Sequence, residues 1–396
     1  IKDGNSVVLV DHDTRILNVA DYMIEIGPEA GAKGGEIIGE GSIKDIVNNS
    51  NSLIGPYLEG KEEVRVREKI AKEDIFKFGK ISLSTDSIHT VKPLSIDIPK
   101  GRLTTITGMS GSGKTTLILE SLYPAIKAKL NNVSMPLHIK DLKADWVNKI
   151  DLIDATPIGN NVRSTVATYS GVFDDLRKLY GKLSSNYTAS DFSYNTGKLR
   201  CGTCDGTGTI SMDVQFLPDI EMTCNSCDGT RYSNQVDNIF YNKYSIKDVM
   251  KLTIRQALEV FKDNKKIRDK LQILVDLGIG YLTLGEATPA LSGGEAQRLK
   301  LASEIGKTQD GSVFIFDEPS IGLHPQDVKT LLQVFQKLID NGATIIVIEH
   351  DLDVIKNSDY IIDMGPEGGY LGGEVVATGT VQDIKDGKES ITGRYL

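Results

Sequence analysis

The sequence predicts an α/β fold organised around a buried parallel sheet, and three strand-like runs carry this prediction. Residues 103–107, 313–316 and 344–348 are rich in β-branched and aromatic residues, and each run is followed by glycines, carboxylates or a histidine. Near-continuous apolar runs of this length are typical of strands covered by helices on both faces, as in parallel sheets. The polar residues that follow the runs are therefore candidates for a ligand site.

Residues 108–115 (GMSGSGKT) follow the first run and match the phosphate-binding loop pattern in full. A helix predicted over residues 117–122, with its end at Pro124, completes the context that this motif requires. Lys114 would reach the β and γ phosphate oxygens, and the Thr115 hydroxyl would bind Mg²⁺. We predict ATP binding here rather than a chance glycine turn. The other predicted ATP-binding residues of this segment are Gly108, Ser110, Gly111, Ser112, Gly113 and Thr116.

Two carboxylates end the second run, and a histidine ends the third. Asp317 would hold Mg²⁺, and Glu318 would polarise the attacking water. Taken alone, carboxylates at a strand end are more often solvated, and a histidine such as His350 is more often structural. Lys114, Glu318 and His350 are nevertheless the predicted catalytic residues, because of the order in which the motifs occur.

Residues 291–298 (LSGGEAQR) resemble the signature of ABC ATPases. Ser292 offers a hydroxyl, while Gly293 and Gly294 let backbone N–H groups at a helix start approach a phosphate closely. The alternative is an ordinary helix start in which Ser292 and Glu295 form a capping box. We predict that Ser292, Gly293 and Gly294 bind nucleotide.

The order of phosphate loop, signature, carboxylates and histidine resembles that of an ABC-type P-loop ATPase domain. This resemblance implies that His350 senses the γ-phosphate and that residues 319–324 communicate between paired domains. It also implies that the signature completes an ATP site built mainly by another domain.

All four cysteines lie in a predicted insert of about residues 125–290, between the phosphate loop and the signature. They form two Cys-x-x-Cys pairs: Cys201, Cys204, Cys224 and Cys227. This spacing fits tetrahedral Zn²⁺, and Asp-Gly-Thr after each pair allows the sharp turn of a chelating loop. Alternating apolar residues over 210–216 predict a hairpin arm. We predict a structural zinc module over residues 198–233, and disulfides are disfavoured because the composition is not that of a secreted domain.

Further segments resemble one family. They are residues 163–175, residues 216–219 (FLPD), Arg231 with Tyr232, and residues 392–396 (TGRYL). Together with the cysteine pairs and the signature, they resemble the carboxy-terminal half of the UvrA family of excinuclease ABC proteins. The likeness runs along nearly the whole chain.

The resemblance implies an α/β fold with an ABC-type P-loop ATPase domain and an inserted, mainly helical signature domain that carries a zinc-bound β-hairpin module. It implies ATP-dependent recognition of DNA damage in nucleotide excision repair, with ATP, Mg²⁺ and Zn²⁺ and without nuclease activity of its own. Expected partners are lesion-containing double-stranded DNA, bound without sequence preference, a second copy in a homodimer, and a UvrB-type helicase bound through a preceding amino-terminal half. The expected location is the cytoplasm.

An internal repeat accounts for the first residues. Residues 1–58 align without a gap onto residues 339–396, so that His12 matches His350. This long period indicates a tandem domain duplication. We therefore expect residues 1–58 to be the carboxy-terminal remnant of a first ABC ATPase domain, residues 59–80 to be a charged linker or solvated helix, and residues 81–396 to be the second ABC ATPase domain.

On this expectation the chain begins inside a domain, and neither composite ATP site is complete within one copy. Hydrolysis would then be weak unless two copies pair head to tail.

The composition limits how this chain can bind DNA. A net charge of −9 over 396 residues is unsuited to wrapping DNA with the whole surface, so contacts must be local. No apolar run reaches transmembrane length, which excludes a one-chain transporter. Basic residues near the cysteines could neutralise phosphates without reading bases. These candidates are Lys198, Arg200, Arg231 and Arg163, with Arg177 and Lys178 on the same insert.

Two segments depart from the UvrA pattern. Residues 154–159 (DATPIG) carry Ala155 where the family has a glutamine that contacts Mg²⁺ or its water, and residues 83–94 also differ. These departures favour, as an alternative, a UvrA-like paralogue that gives tolerance to DNA-binding drugs.

Two further alternatives belong to other functional classes. The first is a soluble ABC ATPase component of drug export or resistance that does not bind DNA, against which the zinc hairpin argues. The second is a non-catalytic DNA-binding module, against which the intact set of Lys114, Asp317, Glu318 and His350 argues.

Overall fold

The computed structural model describes residues 4–28, 34–68, 70–159, 161–212, 220–302, 304–305 and 308–396. The described residues up to Ala155 and from Ile305 to Leu396 form one compact unit, and those from Thr156 to Glu304 form a second. The second unit starts and ends later than the predicted insert, in part because a strand that ends at Ile153 pairs within the first unit. In these ranges no helix has the length and apolar character needed to cross a membrane.

The strands of the described residues, in chain order, are β1 (Met23–Gly27), β2 (Glu36–Gly41), β3 (Lys80–Thr85), β4 (Leu94–Pro99), β5 (Leu103–Gly108), β6 (Ile139–Lys143), β7 (Lys149–Ile153), β8 (Thr209–Met212), β9 (Ile220–Thr223), β10 (Ser312–Asp317), β11 (Thr344–Ile348), β12 (Tyr360–Gly365) and β13 (Glu374–Gly379).

The α-helices, in the same order, are α1 (Thr14–Leu17), α2 (Ile43–Asn48), α3 (Gly55–Leu58), α4 (Tyr123–Leu130), α5 (Val166–Tyr169), α6 (Val172–Leu183), α7 (Ile246–Lys251), α8 (Ile254–Val260), α9 (Lys265–Asp276), α10 (Gly293–Ala302), α11 (Pro325–Asp340), α12 (Leu352–Lys356) and α13 (Val381–Asp386). Short 3₁₀ helices occur at Lys72–Asp74, Asn234–Asn238, Thr288–Ala290, Gly369–Leu371 and Thr392–Arg394.

A parallel sheet forms the centre of the first unit. Within the described residues its strand order is β13-β12-β5-β11-β10-β7, and all strands run parallel except β13, which pairs antiparallel with β12. Strands β5, β10, β11 and β12 are buried along almost their whole length. The antiparallel strands β4, β3 and β6 contribute to the same core. The prediction of an α/β fold with a buried parallel sheet is confirmed.

The helix after the phosphate loop does not end at Pro124, so this prediction was wrong. It runs as a π-helix over Thr116–Leu122 and continues as α4 to Leu130. The Tyr123 N–H donates to the Ile118 carbonyl, five residues back, which is the wider π-helical pattern. Pro124 then lies in the first turn of α4, where a missing N–H is tolerated.

The two copies of the internal repeat share a β-hairpin. β1 pairs with β2 in the register Met23↔Gly41, and β12 pairs with β13 in the matching register Ile361↔Gly379. Behind each hairpin a serine hydroxyl donates to a carboxylate on the first strand: Ser52 to Glu25 at 2.6 Å, and Ser390 to Asp363 at 2.5 Å. The hairpin and its serine–carboxylate bond are therefore repeated in the structure as in the sequence.

The two copies differ in burial. Residues 7–10 are 61 to 93% exposed, whereas the matching residues 345–348 of β11 are fully buried between β5 and β10. Within the described residues, no strand pairs with residues 7–10. The repeat match at Glu29 lies outside these residues.

The charged segment 59–80 is largely exposed, but its residues 64–67 are anchored to the first unit. The Asn357 side-chain oxygen accepts the N–H groups of Val66 and Arg67 at 3.0 and 3.3 Å, and its amide donates to the Val64 carbonyl at 2.6 Å. The Arg67 guanidinium donates to Asp359 at 2.7 Å, and both side chains are almost fully buried. Sequence inspection missed this anchor because its partners lie almost 300 residues away.

The second unit is mainly helical and is packed around aromatic side chains. Amphipathic α6 buries Tyr180, and the rings of Tyr194 and Phe173 lie 4.6 Å apart. The hairpin β8–β9 extends from this unit in the register Thr209↔Thr223 to Met212↔Ile220. The rest of the predicted arm, including Val214 and residues 216–219, lies outside the described residues.

We expect Arg67→Ala to lower the free energy of unfolding by about 3 kcal/mol or more, because it leaves the buried Asp359 carboxylate without its cation. Urea unfolding measures this change. Arg65→Ala is the matched control, since Arg65 is exposed in the same segment and its removal should cost under about 0.5 kcal/mol. Equal destabilisation of the two variants would contradict the anchoring role.

Candidate functional site

The predicted phosphate loop follows β5 at the carboxyl edge of the parallel sheet, where ligands bind in folds of this type. Gly108 has φ +130°, and a Cβ added there would lie 2.0 Å from the Met364 carbonyl oxygen. Gly113 has φ +95°, and a Cβ there would lie 2.6 Å from a Val91 methyl carbon. Glycine is therefore required at both positions for the loop to turn.

Lys114 is folded back against its own loop. Its Nζ donates to the carbonyls of Gly108 and Met109 at 3.0 and 2.9 Å, and the residue is 5% exposed. Burial lowers the pKa of Lys114, while the neighbouring carboxylates, led by Glu318, oppose this shift. An ammonium that is held by loop carbonyls can turn to a phosphate with little rearrangement.

The other predicted residues of the loop present polar groups. Ser110, Gly111 and Thr115 are exposed, and the Thr116 hydroxyl donates to Glu120 at 3.2 Å. The Ser112 hydroxyl is buried without a hydrogen-bond partner among the described residues. A buried orphan hydroxyl in a glycine-rich cradle is the kind of group that a bound phosphate would satisfy.

The two predicted carboxylates lie where β10 ends. Burial raises the pKa of Asp317, and the nearby charges of Glu318 and Asp154 add to this shift. The Glu318 N–H donates to the Ile348 carbonyl on β11 at 3.0 Å. Glu318 has φ +46°, a left-handed backbone that is uncommon for a non-glycine residue and recurs at functional sites.

His350 follows β11 and lies beside Glu318. Its Nε2 is 3.6 Å from the Glu318 Oε1 atom. Burial lowers the pKa of His350, and the charge of Lys114 lowers it further. The first unit thus brings Lys114, Asp317, Glu318 and His350 to one edge of the sheet, which is the arrangement needed to bind a triphosphate and orient a water against it.

The predicted signature residues start α10 in the second unit. The Ser292 N–H donates to Glu295 at 2.7 Å, and the Glu295 N–H donates to the Ser292 hydroxyl at 3.4 Å. These bonds form the capping box that the sequence offered as an alternative. The start of α10 (Gly293–Ala302) nevertheless combines the positive end of the helix dipole with two adjacent glycines, and this combination suits an anion.

The four cysteines form one buried cluster in the second unit. All four Sγ atoms lie within 4.8 Å of one another, with 3.9 Å between Cys201 and Cys224 and 3.7 Å between Cys204 and Cys227. A disulfide requires about 2.05 Å, whereas tetrahedral zinc with bonds of about 2.3 Å gives sulfur separations of about 3.8 Å. The donor set therefore fits zinc and is free of disulfides.

The four candidate DNA contacts differ in exposure. Lys198 is exposed. Arg163 and Arg200 both form ion pairs with Asp205 at 2.9 Å and are partly exposed. Arg231 is 6% exposed, and its guanidinium donates inward to the Val162 carbonyl at 2.8 Å. Because of this burial, Arg231 is unsuited to a DNA contact, which corrects the expectation from the sequence.

The additional basic residues of the insert lie on α6. Arg177 pairs with Asp174 at 2.6 Å and lies over the Phe173 ring, whereas Lys178 is exposed.

Comparison with known proteins identifies the family. No family model matches the chain. Over 402 residues the chain is 43% identical to UvrABC system protein A of Staphylococcus aureus (strain COL), a match that covers 99% of this chain and 42% of the relative. UvrABC system protein A of Staphylococcus epidermidis (strain ATCC 35984) is 42% identical over 400 residues, with the same coverage. The crystal structure of UvrA2 from Deinococcus radiodurans matches with a TM-score of 0.90 at 35% identity, covering 100% of this chain and 48% of that one.

The chain belongs to the UvrA family. It spans about two fifths of the length of the curated relatives that it matches.

Sequence inspection of this UvrA-family chain missed Glu349 as a site residue. This buried carboxylate accepts the N–H groups of Ser320, His350 and Asp351 at 2.8, 2.8 and 3.0 Å. It thereby ties the segment 319–324 to His350. The internal repeat could have pointed to Glu349, because an acidic residue, Asp11, occupies the matching position. Asp11 accepts the N–H groups of His12 and Asp13 in the same way.

Asp154 was also missed. It precedes Ala155, where the chain departs from the UvrA pattern, and its negative charge helps to raise the pKa of Asp317. A carboxylate is therefore close to the predicted Mg²⁺ ligand, although alanine replaces the usual glutamine.

His324 is the N-cap of α11 and lies beside the first repeat copy. Its Nδ1 accepts the Gln326 N–H at 3.2 Å, and its ring meets those of His12 and Tyr57 edge-on. Burial lowers the pKa of His324; the charge of His12 adds to this, while Asp327 and Glu25 oppose it. The helix cap needs an unprotonated Nδ1.

We expect this cap to make stability depend on pH. Because the folded-state pKa of His324 lies below the unfolded value of about 6.5, its contribution is present above that pH and is lost as the pH falls through it. Asn at position 324 can accept the same N–H at any pH. Between pH 7.5 and pH 5.5, His324→Asn should therefore lose less stability than the unchanged chain, as measured by urea unfolding at both pH values. An identical pH slope in His324→Asn would contradict the cap.

Proposed function

We propose that this chain supplies an ATP-hydrolysing, DNA-binding part of a UvrA-type damage-recognition protein of nucleotide excision repair. The observation that carries the proposal is the convergence of Lys114, Glu318 and His350 at one sheet edge in a chain of the UvrA family. The family match gives the class of protein, and the convergence of these three residues supports ATP hydrolysis by this chain.

ATP would bind with its phosphates in the loop of residues 108–115. Lys114 would leave the carbonyls of Gly108 and Met109 and donate to the β and γ phosphate oxygens. Ser110, Ser112 and Thr116, with the backbone of Gly108, Gly111 and Gly113, would complete the cradle.

Glu318 would accept a hydrogen bond from the attacking water, and His350 would donate to the γ-phosphate. The His350 Nε2 atom lies 3.6 Å from the Glu318 Oε1 atom, so both side chains would reach the γ-phosphate end of the nucleotide and the attacking water beside it. Thr115 and Asp317 would hold Mg²⁺, which neutralises phosphate charge when bound. Asp317 suits this role because burial, together with the nearby charges of Glu318 and Asp154, raises its pKa, and a bound cation would offset both effects.

The signature of Ser292, Gly293 and Gly294 would act on a nucleotide held by another ATPase domain. We assign residues 1–58 to the carboxy-terminal part of a first ATPase domain, residues 59–80 to the linker and residues 81–396 to the second domain, supported by the shared hairpin register of the repeat copies. Pairing in a homodimer and binding of a UvrB-type helicase complete this proposal.

The cysteine cluster would bind one structural Zn²⁺ through Cys201, Cys204, Cys224 and Cys227. The sulfur separations and the burial of all four residues support this assignment. Zinc would hold the base of the β8–β9 hairpin and present Lys198, Arg200 and Arg163 to phosphates of double-stranded DNA, without base-specific contacts.

Ala155 favours a second candidate, a UvrA-like paralogue that protects against DNA-binding drugs. The glutamine that normally contacts Mg²⁺ or its water is absent, so coupling between nucleotide and DNA would differ from that of the repair protein. DNA binding by the full-length protein, with and without ATP, to lesion-bearing and drug-intercalated duplexes separates these candidates. ATP-dependent preference for the drug-intercalated duplex alone would favour the paralogue.

We expect Glu318→Gln to reduce ATP turnover by at least about 100-fold while nucleotide binding is retained, because the amide cannot accept the proton of the attacking water. Steady-state hydrolysis and equilibrium nucleotide binding by the full-length protein measure this split between kcat and affinity. Glu389→Gln, at an exposed carboxylate of the same unit, is the control and should hydrolyse ATP normally. Normal turnover in Glu318→Gln would refute the assignment.

We expect combined replacement of Lys198, Arg200 and Arg163 by Gln to weaken DNA binding and to flatten its salt dependence. The slope of log K against log [salt] should become less negative by about 0.9 for each phosphate that the protein no longer neutralises. Lys266→Gln, at an exposed lysine on α9, should leave the slope unchanged. Zinc content is measured in parallel, and an unchanged slope in a zinc-loaded triple variant would remove these residues from the DNA surface.

A further inference from the structure

The two cysteine knuckles have a left-handed backbone at the same three positions. After Cys204 and Cys227, an aspartate takes φ +50° in the first knuckle and +49° in the second, and a glycine takes φ +79° and +72°. A threonine then donates its hydroxyl to the carbonyl of the preceding cysteine, at 2.7 Å from Thr207 and 2.5 Å from Thr230. The knuckles can therefore be compared position by position.

One position differs in a way that the backbone does not favour. Gly208 ends the first knuckle with φ +80°, and Arg231 occupies the equivalent place in the second with φ +72°. At each place the backbone N–H donates to a cysteine sulfur: Gly208 to Cys204 at 3.3 Å, and Arg231 to Cys227. Glycine adopts this left-handed geometry freely, whereas an arginine in it is strained. The arginine side chain must therefore contribute something that offsets the strain.

The guanidinium of Arg231 is buried and is occupied by neutral groups. It donates to the Val162 carbonyl at 2.8 Å and lies over the Tyr194 ring at 5.2 Å. Within the described residues, no carboxylate forms an ion pair with it. Burial lowers the pKa of Arg231, and the groups that oppose this shift when ionised are Tyr194, the sulfurs of Cys204 and Cys227, and Tyr232. Burial raises the pKa of both tyrosines, so the sulfurs are the source of the opposing charge. A buried cation without a carboxylate is costly unless another negative charge balances it.

The cysteine cluster supplies that charge. Four thiolates around one Zn²⁺ carry a net charge of −2, and the four cysteines are at most 6% exposed. Neighbouring cations at the module have carboxylate partners: Arg163 and Arg200 share Asp205 at 2.9 Å, and Lys251 pairs with Asp228 at 2.7 Å. Arg231 differs from these three because, in the described part of the chain, it forms no ion pair with a carboxylate.

We propose that Arg231 is the counter-charge of the four-cysteine site, a positioning residue that stabilises the buried thiolates and fixes the second knuckle to the Val162 carbonyl. This inference rests on the proposed zinc occupancy. It explains why an arginine occupies a backbone position suited to glycine. It also links the zinc site to residues 161–164, which adjoin α5.

The test is the zinc affinity of the full chain, measured by competition with a chromogenic chelator, together with zinc content per chain. Arg231→Met removes the charge at similar volume, Arg231→Lys keeps the charge, and Arg231→Gly removes the charge while relieving the backbone strain. We expect about 10- to 100-fold weaker zinc binding in the Met and Gly variants, as for other outer-shell partners of metal ligands, and affinity within a few-fold of the unchanged chain in the Lys variant. Arg163→Met is the matched control and should bind zinc normally.

The outcomes separate the two proposals. An unchanged chain that binds no zinc overturns the zinc site itself. One zinc per unchanged chain, with equal affinity in Arg231→Met or Arg231→Gly, overturns only the role of Arg231. Weakening in Arg231→Lys equal to that in Arg231→Met shows that packing rather than charge is responsible, and weakening of equal size in Arg163→Met shows general loosening of the module; each overturns the inference. If Arg231→Met does not fold, the Lys and Gly variants decide.

Discussion

Parallel pairing of β5, β11 and β10 is the constraint on which the candidate ATP site depends. The registers Ile348↔Ile106 and Asp317↔Ile348 align the carboxyl ends of these three strands. Residues separated by more than 200 positions in the sequence therefore meet at one edge. Because the strands are buried on both faces, a slip in register would expose apolar side chains and move the site residues apart. Burial of the sheet thus fixes the geometry of the site.

Desolvation at that edge sets the electrostatics of the site. The pKa of Lys114 is lowered by burial and that of Asp317 is raised by it, so both charges lack the solvent that would otherwise stabilise them. A phosphate and a divalent cation would supply the opposite charges together. The buried carboxylate of Glu349 connects two segments of the site, because it accepts the N–H groups of both Ser320 and His350.

In the second unit, positive and negative groups are likewise paired around the cysteine cluster. Aspartates after each knuckle pair with cations at the surface, and the buried guanidinium of Arg231 interacts electrostatically with the sulfurs of Cys204 and Cys227. A cation needed inside the module is unavailable to DNA. The surface that could contact phosphates is therefore narrower than the basic residues in the sequence suggested, and it centres on Lys198, Arg200 and Arg163.

Local sequence patterns were enough to predict the central strands, the phosphate loop and the paired cysteines, because each depends on residues close together in the chain, and the repeat follows from direct comparison of the two ends of the sequence. Features that depend on distant partners appeared only in the folded structure. The charged segment 59–80 is anchored because Asp359 accepts a hydrogen bond from Arg67, and Arg231 is held inward by the Val162 carbonyl and the Tyr194 ring. Pro124 stays within a helix because the preceding π-helical turn changes which carbonyls are bonded. Burial and charge pairing are properties of the assembled neighbourhood, and local patterns do not contain them.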